Sequence, residues 1–172
     1  MIVASTHRLI IRDLDDRDAP NIFLLNSDPE VLKYVHDVPF KDVDAAREWI
    51  ANIGEQLPLG IGRWAIESKD GTWIGRCSLR RYADGEVLMG YRLLRTHWGK
   101  GYASEAAGAM LNHAFNTHGL KTVLSKVAKD NKASQRVMEK NGGVFWMEGS
   151  AENFAEALVY RFALEEHTGP IR

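Results

Sequence analysis

The spacing of hydrophobic residues changes along the chain from a helical period to an alternating one. Ala46, Ile50 and Ile53 recur at helical spacing, so the segment 43–56 is predicted to be a helix with one apolar face. From Arg63 onward apolar and polar residues alternate, and short turns at 69–71 and 84–85 separate three predicted strands. Strands joined by such short turns form an antiparallel meander.

The rest of the chain follows the same two patterns. Strands are predicted at 8–12, 63–67, 72–79, 86–94, 122–128, 144–148 and 157–164, and helices near 18–25, 28–35, 43–56, 101–116 and 131–140. Asp18, Asp28 and Asn131 are the predicted N-caps of the helices near 18–25, 28–35 and 131–140. Three antiparallel strands followed by strand–helix–strand indicate an α+β fold, a mixed and mostly antiparallel sheet of about seven strands with helices on both faces. Because no repeat, low-complexity tract or linker interrupts it, residues 1–172 are predicted to form one domain.

Composition narrows the classes of partner. The formal net charge is −1 and the sequence pI is about 6.6, without the basic excess typical of a nucleic-acid-binding protein, so no nucleic-acid partner is expected. Cys77 is the single cysteine, which rules out an intrachain disulfide and fits a reducing compartment. Neither a signal-peptide pattern nor an apolar run of membrane-spanning length is present, so no membrane partner and a cytoplasmic location are expected.

The segment 93–105 carries the most informative chemistry. A predicted strand ends there, Gly99 and Gly101 permit a tight turn, and a helix begins. Such a turn directs backbone N–H groups at one point, where the helix dipole also favours negative charge, so it is a candidate phosphate-binding site. Lys100 adds a cation and Ser104 a hydroxyl. On these residues alone, a glycine-rich turn that merely caps a helix remains an alternative, whereas Walker and dinucleotide-binding motifs are excluded by spacing.

Two sequence blocks resemble a known family. They are Trp98-Gly99-Lys100-Gly101-Tyr102-Ala103-Ser104-Glu105-Ala106, which follows Gly90-Tyr91, and the segment 131–142, which begins Asn131-Lys132-Ala133-Ser134. Together they resemble the GNAT superfamily (GCN5-related N-acetyltransferases), and the start of the chain, 6–12, is similar to the branch of ribosomal-protein N-terminal acetyltransferases, RimJ and RimL. The resemblance implies that acetyl-CoA is the cosubstrate, without a metal, and that its pyrophosphate binds the backbone of Trp98, Gly99, Lys100, Gly101, Tyr102 and Ala103, beside Ser104. It also implies that Asn131 contacts the CoA chain and that Leu93 and Leu94 lie alongside it.

The same resemblance implies a mechanism, in which an amine attacks the thioester directly. Many family members donate a proton to the departing thiolate from a tyrosine at the position of Met138, and methionine has no proton to donate. In the resembling branch a serine takes this place, here Ser134. A thiol has a pKa of about 8.5, so its thiolate needs only a weak donor. Glu86 and Glu67 are the candidate bases for the incoming amine, with a surface position in a strand as the alternative for each.

The acceptor is predicted to be a primary amine, either a protein N-terminus or a small molecule. Tyr34, His36 and Trp49 are the candidate substrate-binding residues, because they lie at predicted helix ends and loops beside the sheet. Their aromatic rings, with a few acidic neighbours, favour a cationic amine over an anionic metabolite. The alternative function is a non-catalytic acetyl-CoA-binding or sensing module, and a homodimer is compatible with the sequence.

Overall fold

The computed structural model describes residues 1–35, 37–56, 61–151 and 154–164. Its strands are β1 (Ile2–Ser5), β2 (Leu9–Asp13), β3 (Gly62–Ser68), β4 (Trp73–Arg81), β5 (Val87–Leu93), β6 (Thr122–Ala128), β7 (Val144–Ala151) and β8 (Phe154–Ala163). Its α-helices are α1 (Ala19–Ser27), α2 (Pro29–Leu32), α3 (Val43–Ala51), α4 (Ile53–Gln56), α5 (Tyr102–Asn112) and α6 (Lys132–Lys140). The fold is α+β, as predicted.

All the strands form one sheet in the order β1-β2-β3-β4-β5-β6-β8-β7. Every neighbouring pair is antiparallel except β5 and β6, which run parallel. Helix α5 packs on one face, where Met110 and Leu111 meet Ile11, Leu79 and Val123 of the sheet in the larger core cluster. Helices α1 to α3 cover the other face around Ala65 and Trp73 of β3 and β4, with buried contacts from Ile22, Leu25, Val31 and Ile50. Helices therefore lie on both faces, as predicted.

Four details differ from the prediction. The sheet has eight strands rather than seven, because the short segment Ile2–Ser5 pairs with β2 at the edge. Asp18 makes no N-cap hydrogen bond, since it is buried and ion-paired with Arg12, and the predicted helix 43–56 is divided at Asn52 into α3 and α4. The predicted helix 101–116 is α-helical only to Asn112, and a π-helical turn continues it.

The parallel pair β5–β6 creates the opening for the functional site. The two strands are in register at Leu88 and Leu124, and the Ser125 hydroxyl donates a hydrogen bond to the Met89 carbonyl at 3.1 Å. Two cavities open beside this pair. One is lined by residues 88–92 of β5 and 125–128 of β6, and the other by residues 91–93 of β5 and by α6. Antiparallel pairing holds the other edge of each strand in place, β5 on β4 and β6 on β8.

Candidate active site

The first cavity is a groove of about 690 Å³ between the 98–104 turn, the end of β5 and helix α6. We call it the cofactor groove. Its volume lies within the range of small-molecule sites. Most of the residues predicted to bind the cofactor line it: Leu93, Trp98, Gly99, Gly101, Tyr102, Ala103, Ser104 and Asn131. Ser134 and Tyr34 line it as well.

The turn from Trp98 to Ser104 has the conformation that its glycines allow. Gly99 and Gly101 have φ of +72° and +81°, in the left-handed region that glycine adopts without strain. Gly101 is the N-cap of α5, and the first helical N–H to reach a backbone carbonyl is that of Glu105. The N–H groups of Tyr102, Ala103 and Ser104 precede that bond, so they have no acceptor within the helix and lie at its positive end. An anion at this turn would meet oriented donors.

The start of β2 holds the turn from behind. The Glu105 carboxylate accepts hydrogen bonds from the Thr6 hydroxyl at 2.6 Å, the Arg8 backbone N–H at 2.8 Å and the Arg8 Nε at 2.7 Å. The same guanidinium donates from Nη1 to the carbonyl of Lys100 at 2.9 Å and stacks over the Tyr102 ring. Burial acts to raise the pKa of Glu105, but the hydrogen bonds from Thr6 and Arg8 outweigh it and lower that pKa. We call Thr6, Arg8 and Glu105 the turn clamp.

Three of the predicted cofactor residues have roles other than those expected. The backbone N–H of Trp98 donates to the Arg95 carbonyl, and its indole Nε1 donates to the Leu93 carbonyl at 2.9 Å, so Trp98 joins the turn to the end of β5. The Lys100 side chain is exposed and lies outside the groove lining, and its carbonyl binds Arg8. Leu94 packs against the core cluster beneath α1 to α3 instead of the groove.

Helix α6 presents basic side chains along the groove. Lys132, Arg136 and Lys140 are four residues apart, hence on one helix face, and all three line the cavity. Asn131 caps the helix by accepting from the Ser134 N–H at 3.1 Å, as predicted. The sequence contains this spacing, but its significance depends on which face of α6 meets the groove. These cations suit a polyanionic ligand.

The end of β5 directs backbone groups into the gap between β5 and β6. Leu94 donates its N–H to β4, whereas the Met89 carbonyl receives the Ser125 hydroxyl from the β6 side. Because successive peptide groups in a strand point in opposite directions, the N–H groups of Tyr91 and Leu93 face the gap. Backbone donors are therefore available in the gap at the end of β5.

Two hydroxyls meet in the gap, between β5 and α6. The Tyr91 Oη and Ser134 Oγ atoms are 3.0 Å apart, and both residues line both cavities. Burial raises the pKa of Tyr91. The hydrogen bond with Ser134 acts in the opposite direction but is the smaller effect, so the pKa is raised overall. Tyr91 therefore stays protonated at neutral pH. The sequence pattern indicates a role for Ser134 but includes Tyr91 only as part of the resembling block, because the contact joins residues that are 43 positions apart.

Met138 is fully buried in the larger core cluster and does not line either cavity. Its backbone carbonyl accepts the N–H groups of Asn141 and Gly143 at the end of α6. The Asn141 side chain in turn donates to the Ser104 hydroxyl at 3.1 Å, which ties the end of α6 to the start of α5. Met138 therefore contributes to packing. The hydroxyls that line the cavities at this level are those of Tyr91 and Ser134.

The second cavity, of about 560 Å³, lies on the other side of the same gap and we call it the acceptor pocket. It shares part of its wall with the cofactor groove: Tyr34, Val35, Tyr91, Arg92, Asn131 and Ser134. Of the predicted substrate residues, Tyr34 lines both cavities and Trp49 lines the acceptor pocket alone. His36 lies outside the described residues.

The charge of the acceptor pocket is opposite to the acidic lining that the sequence suggested. Within the described chain its lining has one carboxylate, that of Asp37, against five cations: Arg63, Arg76, Arg80, Arg92 and Lys126. Asp37 forms an ion pair with Arg92. The sequence-based preference for a cationic acceptor therefore finds no support in this lining.

The two candidate bases do not join the other site residues. Glu86 precedes β5 in an exposed turn, about 20 Å of strand away from Leu93, and lines neither cavity. Glu67 instead forms an ion pair with the guanidinium of Arg12, which also makes a two-pronged pair with the buried carboxylate of Asp18. These hydrogen bonds raise the pKa of Arg12, and the hydrogen bond with Asp18 has the largest effect. Glu67 thus contributes to a structural tie between β2, β3 and the start of α1.

No cluster of three or more His, Cys, Asp or Glu side chains that could hold a metal ion occurs within the described ranges. In the same part of the chain, none of the helices has the length and apolar character required to cross a bilayer.

Comparison with known proteins agrees with this geometry. The profile of the acetyltransferase (GNAT) domain matches residues 8–144. An uncharacterised N-acetyltransferase, p20, of Bacillus licheniformis is 34% identical over 168 residues, which cover 92% of this chain and 93% of the relative. The spermidine N-acetyltransferase of Vibrio cholerae, solved with CoA and spermine, superposes with a TM-score of 0.81 at 19% identity and covers 95% of this chain and 100% of that one. RimL, a ribosomal L7/L12 α-N-protein acetyltransferase solved with CoA, gives 0.82 at 17% identity, covering 96% and 99%. The chain therefore belongs to the GNAT family of acetyltransferases.

Proposed function

We propose that this acetyltransferase transfers the acetyl group of acetyl-CoA to a primary amine by direct attack, with Tyr91 and Ser134 at the reacting centre. One observation carries the proposal: the hydrogen-bonded pair Tyr91–Ser134 lies in the wall that the cofactor groove and the acceptor pocket share. Two substrates that enter from opposite sides of the gap would meet there. Proximity of this kind is a large part of catalysis in reactions between two molecules.

The residues of the cofactor groove fit the proposed cosubstrate. Acetyl-CoA supplies an activated acetyl thioester and a pyrophosphate. The N–H groups at the start of α5 and the basic face of α6 suit its phosphates. A Cβ added to Gly101 would lie 3.3 Å from Arg8 Nη2, at a φ that L-residues rarely adopt. A side chain at this position would therefore distort the turn.

Backbone N–H groups of β5 would stabilise the negative charge that develops on the carbonyl oxygen of the acetyl group. The N–H groups of Tyr91 and Leu93 face the gap, and an N–H already in place stabilises a developing oxyanion without reorganisation. The Trp98 indole holds the Leu93 carbonyl and so fixes the orientation of this strand end. We therefore assign the positioning of the acyl group to β5.

The hydroxyl pair serves the leaving sulfur. Tyr91 remains protonated at neutral pH, so its Oη can donate to Ser134 while Ser134 Oγ donates onward. This order places a proton at Ser134 Oγ, facing both cavities. A thiolate whose conjugate acid has a pKa of about 8.5 is a good leaving group, so a hydrogen bond from Ser134 is sufficient to stabilise it.

The incoming amine needs only modest assistance from the protein. An α-amino group with a pKa of about 7.7–8 is roughly one-tenth neutral at pH 7, whereas a lysine amine near 10.4 is less than one-thousandth neutral. Neither Glu86 nor Glu67 is placed to act as the base, so we propose that solvent in the acceptor pocket takes the proton. Relatives named for spermidine and for a ribosomal protein support the amine class.

The test is acetyl transfer by the purified protein. CoA release is followed with a thiol reagent across a panel of amines, and the acetylated products are identified by mass spectrometry. We expect amine-dependent CoA release, with acetyl-CoA binding measurable by calorimetry. Binding without transfer to any amine would refute the proposed function in favour of a non-catalytic CoA-binding module.

A matched pair of glycine variants tests the cofactor assignment. Gly101→Val should abolish acetyl-CoA binding in a folded protein, because it distorts the turn at which the phosphates would bind. Gly71→Val places the same side chain at a similar φ of +86° in the β3–β4 turn, outside both cavities. It should strain the backbone equally but leave binding intact. Equal acetyl-CoA affinity in the two folded variants would refute the assignment.

A further inference from the structure

The acceptor pocket concentrates arginines on one face of the sheet. Arg76 lies directly opposite Arg92 in the β4–β5 register, and Arg63 lies opposite Ser78 of β4. Since side chains alternate along a strand, Arg76, Ser78 and Arg80 share one face of β4. Three neighbouring strands therefore direct guanidinium groups into the same cavity.

This arrangement works against the stability of the sheet. Like charges directly opposite one another on neighbouring strands repel, and these lie in a partly buried pocket. Burial and the charges of Arg92 and Arg63 lower the pKa of Arg76, and burial with Arg80 and Arg92 lowers the pKa of Arg63 to about 10. Burial also lowers the pKa of Arg92, although Asp37 acts in the opposite direction.

The neighbouring groups hold these cations in place but leave the described lining with an excess of positive charge. The Trp49 ring lies 4.9 Å from the guanidinium carbon of Arg63 and 5.3 Å from that of Arg76. Arg92 pairs with Asp37 and donates to Asn26 Oδ1 at 3.3 Å. Planar guanidinium groups fixed in this way are suited to two-pronged hydrogen bonds with carboxylate or phosphate.

We propose that the acceptor is an anionic amine, one that carries a carboxylate or phosphate group bound by Arg63, Arg76 and Arg80 while its amine lies beside the Tyr91–Ser134 pair. The proposal rests on the proposed function, because it assigns the second substrate of the same site. It excludes a polyamine as the preferred acceptor, since ammonium groups would meet the same excess of positive charge.

The geometry limits the length of this acceptor. Strands in a sheet lie about 4.8 Å apart, so the arginines of β3 and β4 are within about 10 Å of the Tyr91 backbone on β5. A small molecule with a few bonds between amine and anion meets this limit. In the transfer the thioester C–S bond breaks as the C–N bond forms and the amine releases one proton to solvent. The thiolate takes up one proton from solvent through the hydroxyls of Ser134 and Tyr91, and both hydroxyls end the reaction protonated.

Matched acceptors that differ in one charge test the proposal. With saturating acetyl-CoA, kcat/KM is measured for glycine against glycinamide, for O-phosphoethanolamine against ethanolamine, and for spermidine. We expect at least one anionic member to exceed its uncharged counterpart about tenfold or more, and the pair that responds distinguishes carboxylate from phosphate. Equal values within both pairs, or preference for spermidine, would overturn the proposal while leaving the proposed function intact.

Arginine variants connect the preference to the pocket. Arg76→Gln should raise KM for the anionic acceptor about 10- to 100-fold, the effect of losing a charged hydrogen bond, while Arg76→Lys should recover part of it. Arg81→Gln is the matched control, because Arg81 is the neighbouring arginine at the end of β4 and lies outside the lining. If Arg76→Gln fails to fold, Arg80→Gln replaces it. An unchanged KM in a folded pocket variant would overturn the proposal.

Binding separates the two possible failures. CoA-loaded protein is titrated by calorimetry with glycine, O-phosphoethanolamine and their uncharged counterparts, so that the anions of CoA are already in place. If no amine is acetylated but an anionic amine binds selectively and Arg76→Gln abolishes that binding, the proposed function fails and the anion site stands. Absence of selective binding in a protein that acetylates uncharged amines overturns the anion site alone.

Discussion

The turn clamp predicts that Glu105 supports the cofactor groove without touching a ligand. Glu105→Gln keeps the size of the side chain and removes its charge. In the wild-type protein the carboxylate receives three hydrogen bonds, from Thr6, from the Arg8 backbone and from Arg8 Nε. An amide oxygen can retain the first two, but the amide nitrogen then faces the guanidinium, and two donors cannot bond to each other.

The contacts set the size of the effect. A hydrogen bond to a charged group contributes about 1.5–3 kcal/mol, and the side chain of Glu105 is only 17% exposed. Arg8 is 41% exposed, so solvent screens part of the charge interaction. We expect a loss of about 1.5–2.5 kcal/mol in the free energy of unfolding. In a protein of this length that corresponds to a fall in Tm of about 4–8 °C.

The Glu105→Gln substitution should also weaken the binding of acetyl-CoA. Arg8 holds the Lys100 carbonyl, so a displaced guanidinium releases the turn whose N–H groups face the groove. We expect the acetyl-CoA Kd to rise about tenfold, which corresponds to about 1.4 kcal/mol of turn stabilisation. Thermal unfolding and calorimetry on wild type, Glu105→Gln and the control Glu48→Gln, an exposed carboxylate on α3, measure both effects.

The pH dependence identifies the charge as the cause. The folded-state pKa of Glu105 is lowered, so its stabilisation is present above the unfolded pKa of about 4.3 and is lost as the pH falls through the folded value. The Tm difference between wild type and Glu105→Gln should therefore be constant from about pH 6 to 8 and shrink below about pH 4. A difference that persists in acid, or an unchanged Kd and Tm at neutral pH, would refute the clamp.

Three further predictions follow from single contacts. Tyr91→Phe and Ser134→Ala should each lower kcat about 10- to 100-fold with little change in acetyl-CoA affinity, because each interrupts the hydroxyl pair; unchanged kcat in both would mean that solvent protonates the sulfur. Trp49→Leu should raise the acceptor KM about three- to tenfold and spare acetyl-CoA binding, since the ring positions two arginines of the acceptor pocket; equal effects on both substrates would contradict this. Cys77 should resist thiol reagents in the native protein, because burial raises its pKa; rapid labelling without unfolding would contradict its placement in the core.

The conformation of the 98–104 turn could be predicted because its information is local in the chain. Gly99, Gly101 and the start of α5 lie within a few residues of each other, and their backbone conformation follows from residue type. The cap of α6 by Asn131 is equally local and was predicted correctly. Acidic side chains were harder to assign. Asp18 resembles an N-cap in sequence, but a buried Arg12 on a neighbouring strand engages its carboxylate.

The catalytic and acceptor residues depend on strand register, which a single sequence does not provide. Tyr91 meets Ser134 only because β5 and α6 flank the same gap. Glu86 was assigned to a strand that begins one residue later, and its exposed side chain lines neither cavity. The arginines of the acceptor pocket occupy ordinary alternating positions on three separate strands. Only the pairing of those strands brings them together.

This difference between local and register-dependent residues explains why relatives are a better guide to the cofactor groove than to the acceptor pocket. The proposed phosphate site of the cofactor groove consists of backbone N–H groups and two glycines, so it can persist while most side chains change. The proposed anion site of the acceptor pocket consists of side chains, and a single neutral substitution at Arg76 would remove part of its positive charge. A common fold at 19% or 17% identity is therefore compatible with acceptors of opposite charge. In this chain the acceptor has to be inferred from its own arginines, and these favour an anion.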